Sequence, residues 1–138
     1  MARGPAVPLR FGSLLLDAHG VTALAGRSRI VQGFLHRARG FDAPVVVSWI
    51  TLSEVLQGGT RDPSARWALS NVRLEPLQEV DFRKAGELMA TTSMGGHTVD
   101  ALVAVTAARL PQPCVVLTSD PGDLRRLAAG SDVAVVRI

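Results

Sequence analysis

Short apolar runs alternate with stretches of helical period along this chain. Ser13 to Leu16, Val45 to Val47, Val72 to Leu77, Val115 to Leu117 and Val133 to Val136 read as strands. Those that are apolar without alternation, such as Val45-Val46-Val47, predict strands buried on both faces, as in a parallel sheet. Between them the period changes. His19 to Ala25 predicts a short helix stopped by Gly26. Ile30, Val31, Phe34, Leu35 and Ala38 fall on one helical face, with Gly40 as the stop. Ile50, Leu52, Val55 and Leu56 predict a helix ended by Gly58-Gly59, and Asp62-Pro63 opens another through Trp67 and Leu69. Val80 to Thr92 is helical, with Phe82, Ala85, Leu88 and Met89 expected on its inner side. Thr98 to Leu110 is a strongly apolar helix, and Pro121 to Ala129 is the last. About five strands and six or seven helices in alternation predict an α/β fold around a parallel sheet.

The 138 residues fit a single domain spanning 1–138, with 1–11 expected as a loosely ordered leader. Cys114 is the one cysteine, so no internal disulfide is possible, and its place in an apolar run predicts a buried thiol without reactivity. No stretch approaches the roughly 20 apolar residues of a membrane span, and Leu14-Leu15-Leu16 is too short for a signal-peptide core. A soluble, cytoplasmic protein is the expectation. The net charge is +3, and Lys84 is the single lysine among 15 basic residues. Arginine forks suit phosphate, although a GC-rich coding sequence yields the same bias. Aromatic residues are 4% with no tyrosine, which argues against an extended base-stacking platform. Trp49 and Trp67 fit either stacking on bases or packing.

Four acids fall where such a fold binds ligands. Asp17 ends the first strand and Asp120 follows the fourth, while Glu54 and Asp100 lie in helices that begin on the same side of the sheet. Open parallel sheets bind at the carboxyl ends of their strands. Crowded carboxylates repel one another, and a hard divalent cation such as Mg²⁺ relieves the repulsion. Each acid also has a structural explanation. Asp120-Pro121-Gly122-Asp123 is a good helix start, Asp17 can cap the helix after it, and Thr51 with Glu54 matches a capping box, with Ser48 as the other cap. Asp100 in a first turn complements the helix dipole. The four taken together favour a site.

These segments resemble the PIN-domain ribonucleases, above all the VapC-type bacterial toxins, over about residues 13–137. The motifs are Asp17 in LLLDAHGVTAL, Glu54 in TLSEVLQGG, Asp100 in VDALVAVTAA and Asp120 in VLTSDPGDL. The resemblance implies a PIN-like three-layer sandwich, a five-stranded parallel sheet with helices on both faces. It implies Mg²⁺ or Mn²⁺ at Asp17, Glu54, Asp100 and Asp120, with Asp123 a further ligand, and endonucleolytic cleavage of RNA. It also implies a homodimer silenced by a cognate antitoxin. Thr118 is a candidate for orienting a carboxylate or for the helix cap. His19 stands where many members carry a small hydroxyl residue or Asn, and is either a substrate contact or a helix-start residue. His97 faces RNA or caps its helix. Arg125, beside Arg126, guides phosphates or lies on an exposed face, as His36 is expected to do.

Rival classes lack their residues. A haloacid-dehalogenase-like phosphatase needs a second acid at the position of His19, and a phosphorylated receiver domain needs a lysine after a late strand. Glycine fingerprints for nucleotides are missing. The alternative retained is a non-catalytic PIN-like module that binds RNA or a partner without cutting.

Overall fold

The computed structural model describes residues 7–58 and 62–138. Strand β1 (Ser13–Leu16) leads into helices α1 (Ala18–Ala25) and α2 (Arg29–Gly40). Strand β2 (Val45–Ser48) runs directly into α3 (Trp49–Val55), closed by a 3₁₀ turn at Leu56–Gly58. Then follow α4 (Pro63–Ser70), β3 (Arg73–Glu75), α5 (Glu79–Thr92) and α6 (Thr98–Arg109). The chain ends with β4 (Cys114–Thr118), α7 (Gly122–Ala128) and β5 (Val133–Arg137). Gly59, half of the expected glycine stop after α3, lies outside the described residues, as does the leader before residue 7.

All strands are parallel, in the order β3-β2-β1-β4-β5. The chain builds outward from β1 through β2 to β3, then returns across the sheet to β4 and β5. The direction of winding reverses between β1 and β4, and open parallel sheets bind ligands beyond the carboxyl ends of their strands at such a reversal.

The apolar strand runs are sandwiched as predicted. Leu14, Leu16, Val45, Val47, Val115 and Leu117 pack one sheet face against Val21 and Leu24 of α1, Val31 and Leu35 of α2 and Ala68 of α4. Leu15, Val46, Cys114 and Val116 pack the other face against Val103 and Ala107 of α6 and Leu124 of α7. A third cluster joins α6 to α5 and α7 through Ala85, Met94, Leu102, Val105 and Leu127. Helix α6 is therefore buried from Ala101 to Ala107, which explains why its sequence is apolar all round. Burial pushes the Cys114 thiol up to about 11, so it stays protonated and inert as expected. No described helix is long and apolar enough to cross a membrane.

Four expectations are corrected. Phe82 is 51% exposed, and its neighbour Asp81 points inward at 2%. Asp81 accepts the Gln78 backbone N–H at 2.9 Å and the Arg109 Nε–H at 3.0 Å, so polar bonds set the rotation of α5. Ile30 is likewise exposed at the start of α2. The end of the leader is packed: Phe11 is 3% exposed, edge-on to Phe41 with ring centroids 5.2 Å apart. Helix α2 runs through Gly40 rather than stopping before it, and Phe41 takes the C-cap position.

Candidate active site

Asp17 stands at the winding reversal. It is the N-cap of α1, and its Oδ1 accepts the Gly20 N–H at 2.9 Å. Its own N–H reaches the Leu117 carbonyl at 3.4 Å, across the seam from β1 to β4. Its Oδ2 lies 3.6 Å from Nδ1 of His19, which is exposed at the rim. Gly20 makes this close approach possible. A Cβ there would lie 3.0 Å from the Leu117 carbonyl oxygen and 3.1 Å from the Leu16 Cβ.

Helices bring in the other acids. Asp100 lies in the first turn of α6, half-buried. Burial pushes its carboxyl above the usual range, and the charges of Asp123, Asp17 and Asp120 push the same way against the opposing pull of His97. Glu54, in the last turn of α3, is also raised, first by burial and then by Asp17 and Asp100, with His19 opposing. Asp17, Asp120 and Asp123 thus bear on Asp100, and Asp17 and Asp100 bear on Glu54.

Asp120 is not the helix cap its sequence offered. Helix α7 begins at Gly122 with Pro121 before it, and Asp120 is exposed. Thr118 is buried at the end of β4, where its Oγ1 accepts the Asp120 N–H at 3.1 Å. Thr118 thus fixes the backbone that presents Asp120. The Thr51–Glu54 capping box does not form either. Ser48 is the N-cap of α3 without a side-chain cap bond, and the buried Thr51 hydroxyl has no partner.

Among the described residues, His97, Asp100 and Asp123 form a donor set, each offering one atom, all within 4.8 Å of one another. His97 precedes α6 without capping it through its side chain, and its Nδ1 lies 3.4 Å from Asp123 Oδ2. The sequence offers His97 as an RNA contact or a cap, and the structure adds the role of a donor. The signal was its spacing, because residues three apart on a first turn share a face. Arg125 is turned elsewhere: its Nε and Nη2 donate to the Val135 carbonyl at 3.4 and 3.3 Å, on β5. Trp49 is 49% exposed at the start of α3. Trp67 is half-buried under the Arg27 guanidinium, 3.3 Å from the ring centroid, so of the two it is the packing anchor.

The donor chemistry fits a divalent cation. Carboxylate oxygens dominate, two of the acids are held above their usual range by burial and mutual repulsion, and a cation would offset both.

An α/β sandwich with strand order 3-2-1-4-5 and acids grouped over its winding reversal is the PIN-domain fold. Comparison with solved structures gives the same class. The chain is similar to one in VapBC2 from Rickettsia felis bound to a DNA fragment from their promoter, at TM-score 0.69 and 13% identity, covering 91% of this chain and 98% of that one. It is similar to a toxin–antitoxin complex from Klebsiella pneumoniae, at TM-score 0.66 and 19% identity, covering 91% and 100%. It is also similar to DNA-bound VapBC from Salmonella typhimurium, at TM-score 0.65 and 14% identity, covering 91% and 97%. No protein-family model matches the chain, and no curated protein matches it by sequence. The likeness is therefore one of fold.

Proposed function

We propose that this chain is a divalent-metal-dependent endoribonuclease, the toxin of a toxin–antitoxin pair, acting in the cytoplasm. The observation that carries the reading is the grouping of Asp17, Glu54, Asp100, Asp120 and Asp123 at the carboxyl end of β1 and β4. The occurrence of this fold in toxin–antitoxin complexes supports the biological setting.

Asp17, Glu54, Asp100, Asp120 and Asp123 would hold Mg²⁺ or Mn²⁺. When bound, the metal supplies Lewis-acid stabilisation of phosphoryl oxygens and eases deprotonation of the attacking water. Asp17 and Asp100 set the site's position, because one is fixed to the β1 end and the other to the packed helix α6. Glu54, on the exposed side of α3, is open to solvent and placed to take a proton from water, and burial with the charges of Asp17 and Asp100 raises its carboxyl. Thr118 positions Asp120 through its backbone, and His19 lines the RNA entry beside Asp17. The partners in this reading are RNA, a cognate antitoxin and a second copy of the chain.

The test is cleavage of a mixed RNA pool by the purified protein with Mn²⁺ or Mg²⁺, with EDTA, and as Asp100→Asn. Cuts that need metal and vanish in both controls are expected. A folded, antitoxin-free protein that binds RNA and never cuts it would establish the non-catalytic module instead.

A further inference from the structure

The grouping of acids is not uniform in its donors. On one side Asp17 and Glu54 offer oxygen, with the exposed His19 Nδ1 3.6 Å from Asp17 Oδ2. On the other, His97 brings a ring nitrogen within 4.8 Å of oxygens from both Asp100 and Asp123. Three local features hold the ring there. Gly96 takes a left-handed φ of +88°, which turns the chain between α5 and α6 and delivers His97 to the start of α6. The His97 N–H is used by the Met94 carbonyl at 3.3 Å, and the His97 carbonyl accepts the Ala101 N–H at 2.9 Å, so the backbone is fixed at both ends. The imidazole makes no cap bond to α6 and is directed at Asp123, with Nδ1 3.4 Å from Oδ2. Asp123 is carried by α7, which packs against α6 through Leu127.

We infer that His97 is a nitrogen ligand of the metal centre, together with Asp100 and Asp123, and that it gives this chain a preference for a borderline transition-metal ion over Mg²⁺. The inference rests on the metal-dependent reading above and deepens it. Mg²⁺ is hard, favours oxygen and dehydrates reluctantly. Imidazole suits cobalt, zinc and their neighbours, whose affinity for nitrogen rises along the first transition row. An all-oxygen cluster gives little such discrimination. The His97 nitrogen, the one grouped with two acids within 4.8 Å among the described residues, adds it without altering the acids.

The test uses Co²⁺ and Mg²⁺ as probes, titrated calorimetrically into the metal-free protein and into His97→Gln, His97→Asp and Asp100→Asn. A second readout is nitrogen modulation in the pulsed electron paramagnetic resonance of the Mn²⁺-loaded protein. The parent is expected to bind Co²⁺ at least 10-fold more tightly than Mg²⁺. His97→Gln should lose at least roughly 10–100-fold in Co²⁺ affinity, the range already seen when a ligand loses an outer hydrogen-bond partner, while Mg²⁺ affinity changes less than about 3-fold. His97→Asp should bind both ions with the preference gone. Nitrogen modulation should be present in the parent and absent from His97→Gln. Unchanged Co²⁺ affinity and modulation in His97→Gln would overturn the inference and reduce His97 to an ion-pair partner of Asp123. The metal-dependent reading would survive that result if Asp100→Asn still abolished binding and cleavage. Metal binding that persisted undiminished in Asp100→Asn would defeat that reading itself. A parent binding neither ion would overturn both.

Discussion

Asp17 does two jobs with two oxygens, and the two are separable by substitution. Oδ1 caps α1 by accepting the buried Gly20 N–H, while Oδ2 faces the site at His19. Asp17→Ala removes both. Loss of an N-cap of this kind costs about 1–2 kcal/mol, at the upper end where the abandoned N–H is buried. For a domain of this length that is roughly a 3–7 °C fall in Tm. Asp17→Asn keeps a carbonyl oxygen for the cap and removes one negative charge from beside Glu54 and Asp100. Without metal its Tm is expected within about 2 °C of the parent, or above it. Metal should invert the ranking. At a concentration 100-fold over its Kd, a cation bound only by the folded chain stabilises it by about 2.7 kcal/mol. The parent should gain that increment and Asp17→Asn most of it should lose. The assay is thermal unfolding followed by circular dichroism, for the three proteins in EDTA and in excess Mn²⁺. An Asn variant as unstable as Ala in EDTA would refute the capping argument. An Asn variant with the full Mn²⁺ increment would refute the placement of Asp17 in the metal site.

Other expectations follow from the same geometry. Burial opposes ionisation of Asp81, but its bonds from the Gln78 N–H and the Arg109 guanidinium outweigh that and hold its carboxyl below the ordinary 3.8. The stabilisation is therefore fully present above that ordinary value and is lost as pH falls through the folded-state value. Arg109→Met strands Asp81 and Glu75 and should cost about 2–4 kcal/mol in urea unfolding, less than a fully buried pair because Arg109 is partly exposed. Asp81→Asn should flatten the acid limb of the stability curve, and an unchanged limb would sink the assignment. Asp100 has the opposite sign. Its raised carboxyl favours folding below the ordinary value and loses that contribution as pH rises through the folded-state value. Metal-free Asp100→Asn should thus melt above the parent at pH 7, with the gap closing in acid; a lower melting point at pH 7 would contradict the crowding. Gly20→Ala forces a methyl against the Leu117 carbonyl and should cost about 1–3 kcal/mol, with reduced RNA cleavage. Parent-like stability and activity there would show that the α1–β4 approach can relax.

The sheet was legible because its central strands are buried on both faces and are apolar except at their ends, where Ser13, Ser48 and Thr118 sit, and α6 because it is almost wholly apolar along its buried length. The edge strand β3 was harder to bound. Only Arg73–Glu75 pairs, and Arg73 and Leu74 face solvent, so no alternation marks its ends. Hydrophobic period puts Phe82 inside because it outvotes the buried ion pair of Asp81, whose partner, Arg109, is 28 residues away. Phe11 was given to the leader because its partner Phe41 lies beyond the next two helices. At the site, strand ends identified the region in which Asp17 and Asp120 fall. Whether Asp120 capped α7 depended on where that helix began, a matter of one residue. Arg125 and His97 were decided by side-chain direction, which spacing constrains only for neighbours on one helix.

The Asp17 N–H reaching the Leu117 carbonyl joins segments separated by most of the chain, and Asp123 comes later still. A polypeptide still on the ribosome therefore carries acids but no assembled centre until β4 and α7 have emerged and β4 has docked beside β1. If the centre cuts RNA as proposed, the order of its parts along the chain delays that activity until the stretch carrying β4 and α7 has emerged. Any stalled or truncated product lacking α7 would be released without it.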